Sequence, residues 1–168
     1  MTRYRLIEGV PQAAAGAECA RSDSARSLSV ALLCARFNEF IVNEMLEGAL
    51  DAWLRHGGDE SRATVARVPG AFELPLAAKT FAQSGKYDLV VALGCVIRGD
   101  TPHFDYVAGE AARGIAQAAY DTGVPVAFGV LTVENVEQAR ERSSISRLNK
   151  GGEALESALE MALLLKQA

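Results

Sequence analysis

Along this chain, apolar residues gather into four nearly unbroken runs, and between the runs they recur at every third or fourth position. The runs occupy residues 29–35 (SVALLCA), 63–68 (ATVARV), 88–97 (DLVVALGCVI) and 125–131 (PVAFGVL). Such continuous runs predict strands of a parallel sheet, because those strands are covered on both faces. After Asn38, the residues Ile41, Met45, Ala49 and Trp53 follow helical spacing as far as His56, and Gly57 and Gly58 provide the stop. Asn38 suits the N-cap of that helix. Further helices are predicted over residues 73–83, over 102–121, from a Thr132 cap to about Arg142, and over 150–166. Strand and helix in alternation require right-handed crossovers. The expected fold is therefore a three-layer α/β sandwich, a four-stranded doubly wound parallel sheet with helices on both faces.

Residues 11–28 are small and polar with no sustained period, so residues 1–28 are read as an N-terminal arm and 29–168 as a single domain. With 168 residues, 49% hydrophobic and 23% charged, the chain has ordinary globular composition and length enough to bury about two-thirds of its unfolded surface. A formal net charge of −4 disfavours a general nucleic-acid binder, which needs clustered Lys and Arg. No apolar run reaches the roughly 18 residues of a membrane span, and the first residues lack a signal-peptide core, so cytoplasmic residence is expected. Cys19, Cys34 and Cys95 have no metal-type spacing, and the last two sit within apolar strands as small hydrophobes. Two histidines far apart make a metal site improbable.

In open α/β sheets ligands bind beyond the carboxyl ends of the strands. The residues just after the first three strands are RFNEF, PGAFE and RGDTPHFD, far richer in side-chain chemistry than the segments that precede the strands. In the third, Thr101 suits an N-cap and Pro102 the first helical position, leaving the amides of His103 and Phe104 without helical partners. Free amides at a helix N-terminus favour an anion, with phosphate the usual guest, and Gly99 lets the backbone come close to it. The positive end of the helix disfavours imidazolium, which suits a histidine that exchanges protons. On residue type alone, His103 is equally a surface histidine, Phe37 and Phe128 core aromatics, and Glu73 a first-turn carboxylate. Dinucleotide, P-loop and nucleophile-elbow motifs are absent.

Five segments together, ARFNEFIVNEMLEGAL, VPGAFELPLAAK, LGCVIRGDTPHFDYVAGE, FGVLTVENVEQA and NKGGEALESALEMA, closely resemble the 6,7-dimethyl-8-ribityllumazine synthase family, in order and at matching intervals from about Val30 to Leu165. The resemblance implies a flavodoxin-like fold and the penultimate step of riboflavin synthesis. In that step 5-amino-6-(D-ribitylamino)uracil condenses with 3,4-dihydroxy-2-butanone 4-phosphate, through a Schiff base, loss of phosphate and ring closure. The substrate's own amine is the nucleophile, so no catalytic Lys or Cys is required, and the resemblance implies no redox cofactor or metal. By matching motif, His103 is the proton carrier, Phe37 stacks on the pyrimidine with Asn38 nearby, and Ala71, Phe72 and Glu73 hold the ribityl chain. Cys95, Val96 and Ile97 meet the pyrimidine edge through their backbone. Gly99, Asp100 and Thr101 line the phosphate pocket with Arg142 and Lys150. The resemblance also implies homopentamers, in some members assembled into an icosahedral shell. Phe128, Arg142 and Lys150 then come from a neighbouring subunit, and the arm joins a neighbour's sheet.

Two segments depart from the family pattern. Residues 143–148 (SSISRL) replace a glycine-rich, lysine-containing turn, putting Ser146 where the family has a lysine and Arg147 beside it. Asp100 takes a place often filled by a small residue, and its carboxylate is expected to point away from phosphate. The rival readings are a flavin- or lumazine-binding carrier and a shell-forming protein, both non-catalytic. A flavodoxin-type phosphate loop would need Gly and Ser or Thr where RFNEF stands, and a structural shell has no need of His103 or Arg142.

Overall fold

The computed structural model describes residues 25–168; most of the expected arm, and Cys19 with it, lies outside the described residues. Four strands, β1 (Val30–Ala35), β2 (Ala63–Val68), β3 (Leu89–Ile97) and β4 (Val126–Val133), form one parallel sheet in the order β2-β1-β3-β4. Five α-helices, α1 (Glu39–Arg55), α2 (Leu74–Gln83), α3 (His103–Thr122), α4 (Val136–Ser143) and α5 (Lys150–Leu165), complete the alternation, with short 3-10 turns at Glu60–Arg62 and Ala71–Glu73. The expected α/β sandwich of the flavodoxin-like type is the fold of this chain. No helix among the described residues is long and apolar enough to cross a membrane.

Every residue of β1 is buried, as are the first seven of β3. Successive residues serve opposite faces. Val30, Leu32 and Cys34 join a core with Trp53, Leu155 and Leu159 of α1 and α5, while Ala31, Leu33 and Ala35 join a second core with Leu74 and Ile115 of α2 and α3. Each fully buried large side chain contributes roughly 1.5–3 kcal/mol. The expectation of cover on both faces holds for these two strands and is corrected for β2, none of whose residues is buried, because it is an edge strand.

Boundaries differ from expectation at the fourth strand. Thr132 does not cap α4; it lies in β4, opposite Val96. The β-branched stretch through Val133 continues to pair with β3, and that ladder takes Thr132 before a helix can begin. Asn135 caps instead, its side chain accepting from Gln138 N at 2.9 Å. At α5 the cap is Asn149, in the left-handed conformation (φ 40°), accepting from Gly152 N at 3.1 Å.

The α1–α5 pair is unusually intimate: a Cβ on Gly151 would collide with the backbone carbonyl of Met45. Gly151→Ala must therefore push two helices apart, and a loss of roughly 1–3 kcal/mol in guanidinium unfolding is expected. Burial raises the thiols of Cys34 and Cys95 to about 11, with Arg67 opposing the effect at Cys34. In a Cys19→Ser background, a disulfide thiol reagent at pH 8 should leave both cysteines unmodified until denaturant is added. Rapid reaction of the folded protein would show that the strands open locally.

Candidate active site

The sheet order makes a switch point between β1 and β3, because the chain leaves β1 towards β2 and returns to the other side for β3 and β4. A pocket of about 420 Å³ opens at their carboxyl ends. Phe37 and Asn38 enter it from the turn after β1, Gly70, Ala71, Phe72 and Glu73 from the turn after β2, Cys95, Val96 and Ile97 from the end of β3, and His103 from the start of α3. Phe37 is 69% exposed and Phe72 56%. Large aromatic faces left in water around a cavity mark a binding surface.

Asn38 is where the pocket is tied together. It holds the N-cap position of α1 in the left-handed conformation (φ 58°, ψ 40°), yet its side chain makes no capping bond. The expectation of an N-cap hydrogen bond is corrected here, because the Asn38 amide reaches across the switch point and donates to Cys95 O at 2.9 Å. β1 pairs with β3 only as far as Cys34 opposite Leu93, so beyond that point β3 has no strand on this side. Asn38 stands in for the missing strand at Cys95. Alternation along β3 turns the next same-side backbone groups, those of Ile97, towards the open pocket.

At the entrance of α3 the expected cap is also corrected. Pro102, with φ −62°, holds the N-cap position, and its carbonyl accepts from Asp105 N at 3.0 Å. The pyrrolidine ring already fixes helical φ there. Thr101 consequently sits one residue too early to cap, and no side chain caps the helix. His103 and Phe104 stand in an uncapped first turn. His103 is exposed at the pocket mouth, and its ring has no hydrogen-bond partner among the described residues. Gly99, Asp100 and Thr101 form the exposed turn ahead of the helix and do not line the pocket. A Cβ at Gly99 would meet open space, so nothing in the chain itself demands glycine there. At Gly70 a Cβ would come within 2.6 Å of the Phe37 ring and 3.2 Å of a Glu73 carboxylate oxygen, so any side chain there would displace the aromatic wall of the pocket.

Phe128, Arg142 and Lys150 lie elsewhere. They line a second cavity of about 430 Å³ along the edge strand β4, with Thr132 and Glu153, and it shares no residue with the first. Arg142 donates one nitrogen to Gln138 O at 3.1 Å and stands 3.9 Å from Glu141. The Lys150 ammonium is held by Glu153 at 2.5 Å. Sequence reasoning missed Gly70, Tyr106, Val107 and Glu153. Tyr106 and Val107 follow His103 by three and four positions, so helical spacing puts all three on one face and was the signal available.

If the Asn38 bridge organises the pocket, two substitutions separate its parts. Asn38→Gly keeps the left-handed backbone and loses the tie to Cys95. Asn38→Ala also adds strain of roughly 1–2 kcal/mol. Both should weaken ligand binding at this pocket, and denaturant unfolding should find Asn38→Ala the less stable. Equal stability would remove the conformational half of the account.

The sequence profile of the family described as 6,7-dimethyl-8-ribityllumazine synthase matches residues 27–166. A protein of that name from Chlorobium limicola (strain DSM 245 / NBRC 103803 / 6330) is 55% identical over 144 residues, covering 86% of this chain and 93% of its own. Another of the same name, from Chlorobium luteolum (strain DSM 273 / BCRC 81028 / 2530), is 54% identical over 143 residues, covering 85% and 92% respectively. The matched span takes in all four strands and the switch-point pocket, and with relatives of this identity the chain belongs to the 6,7-dimethyl-8-ribityllumazine synthase family.

Proposed function

We propose that the protein condenses 5-amino-6-(D-ribitylamino)uracil with 3,4-dihydroxy-2-butanone 4-phosphate to give 6,7-dimethyl-8-ribityllumazine, phosphate and water. The 5-amino group attacks the ketone and water leaves as the Schiff base forms. Phosphate is eliminated next, leaving an enol that tautomerises to a new carbonyl, and attack of the ribitylamino nitrogen on that carbonyl closes the ring with loss of a further water. The nucleophile belongs to the substrate, so the protein's contribution is proximity, orientation and proton transfer. Neutral thiols such as Cys95, raised to about 11, suit a wall of the site better than a nucleophile.

What supports this reading above all is the switch-point pocket, which gathers Phe37, Asn38, Ala71, Phe72, Glu73, Cys95, Val96, Ile97 and His103. Phe37 offers an exposed aromatic face to the pyrimidine, Ile97 backbone groups to its polar edge, and Glu73 a carboxylate to the ribityl hydroxyls. His103, with a free ring beside the pocket, moves protons in Schiff-base formation and phosphate loss. The uncapped first turn of α3, with Gly99, Asp100 and Thr101 before it, receives the phosphate.

Arg142 and Lys150 carry the remaining positive charge for that phosphate, and Phe128 the second wall for the ring. In one chain they line a separate cavity on an edge strand, which suits a site completed by a neighbouring copy of the chain. Arg142's planar fork matches two phosphate oxygens; Lys150 must share its charge with Glu153.

His103→Ala should slow lumazine formation by about 10²–10⁴-fold without abolishing it. Arg142→Ala should need far more butanone phosphate for the same rate. Co-refolding the two variants in equal amounts should regenerate about a quarter of the sites, since a neighbour then supplies the missing group. Stopped-flow absorbance of the lumazine reads all three outcomes. No recovery on mixing would mean that one subunit supplies both residues, and no lumazine from the folded wild type would remove the enzymatic reading.

A further inference from the structure

Arg98 follows β3 directly and was not among the residues expected at the site, yet its side chain is engaged at every nitrogen. Nη1 and Nη2 make a fork on the two Asp105 carboxylate oxygens at 3.4 and 3.2 Å, and Nε donates to Glu134 at 3.2 Å. The guanidinium also lies 4.1 Å over the centre of the Phe104 ring. Its backbone N donates to Val133 O at 2.9 Å, which fixes the root of the side chain to the end of β4. Three pieces of chain meet at this one group: the exit of β3, the first turn of α3 and the loop leaving β4.

We propose that Arg98 is a positioning residue that clamps the first turn of α3, and with it His103 and the anion-binding turn 99–102, against the carboxyl edge of the sheet. The proposal rests on the condensation reading above and assigns Arg98 no contact with substrate, because each of its three nitrogens is already engaged by a carboxylate. Phe104 and Asp105, the groups it grips, are the two residues that follow His103. Isolated surface ion pairs contribute little. Here a planar bidentate pair, a third charge-assisted bond and ring stacking act on one side chain whose root the sheet holds, and such a combination orders a loop. The clamp has an electrostatic side as well. Asp105 lies in the first turn beside the expected phosphate, and its ion pair with Arg98 offsets part of its repulsion. Lysine cannot replace the fork or the stack.

The test uses the full-length protein with Arg98→Met, Arg98→Lys and Asp105→Asn, read by hydrogen-exchange mass spectrometry, by titration with inorganic phosphate and by steady-state kinetics. In Arg98→Met, exchange should rise in peptides covering residues 99–107 and stay unchanged in those covering β1. The Kd for inorganic phosphate should increase several-fold, the KM for butanone phosphate should rise with it, and kcat should fall by roughly 10-fold to 100-fold as His103 loses its placement. Arg98→Lys should fail to restore local protection, and Asp105→Asn should loosen the same peptides even if Arg98→Met does not fold. A lower Tm with kcat, KM, phosphate affinity and local exchange unchanged would reduce Arg98 to ordinary structural support and overturn the proposal. Full rescue by Arg98→Lys would overturn the clamp in favour of charge alone. Exchange and phosphate titration need no turnover, so a wild type that forms no lumazine would sink the condensation reading while these two measurements still decide the role of Arg98.

Discussion

Burial of β1 and β3 on both faces is the constraint from which the remaining architecture follows. Neither strand has a solvated side, so helices must cover each face, and crossovers of fixed hand dictate which helix goes where. α1, α4 and α5 share one core and α2 and α3 the other. With both faces apolar, polar and conformationally special residues are left to the strand ends. The carboxyl ends at the switch point are where two such ends diverge and leave a gap.

That gap is useful because β3 is longer than its neighbour. Its last residues continue past β1 and remain paired only with β4, so backbone hydrogen-bonding capacity reaches the pocket without a strand to satisfy it. Asn38 satisfies Cys95, and the next position remains open to a planar, hydrogen-bonding ring. Left-handed backbone at a non-glycine residue is uncommon, and here it aims the amide across the gap in place of capping its own helix. The helix forgoes a side-chain cap and the sheet gains a cross-link at its functional edge.

The family's chemistry makes modest demands on the protein. A substrate amine supplies the nucleophile, so the pocket needs a flat aromatic wall, a proton carrier and a place for phosphate. In the proposed reading Phe37, His103 and the first turn of α3 serve these ends, while Arg142, which donates to Gln138 O and stands 3.9 Å from Glu141, lies on the far edge of the sheet. Exposed Phe37, Phe72, Tyr106 and Phe128 are large apolar faces that a lone subunit leaves in water. They suit a site that is completed on association.

Continuous apolar runs located all four strands from sequence alone, but coverage on both faces holds for β1 and β3; β2, an edge strand with no buried residue, shows that the same pattern overstated its burial. Helical spacing likewise determined α1 and α5, and the carboxyl-end rule singled out RFNEF, PGAFE and RGDTPHFD on residue type alone. The cap position of α1 was legible there, since Asn38 holds it, but not the pull of Cys95 O that turns its side chain away from the helix. The caps of α3 and α4 were not: Thr101 and Thr132 have good capping side chains, but a cap depends on where the helix begins, and that was set by the fixed φ of Pro102 and by β4 pairing through Val133. Gly70 and Arg98 were equally silent, because their meaning lies in neighbours distant in sequence: the Phe37 ring for one, Glu134 for the other. Local pattern determined which segments are strands and helices, because periodicity is a property of the chain itself; only the tertiary structure decided which polar groups meet, because hydrogen bonds between segments depend on the spacing of elements that the sequence does not place side by side.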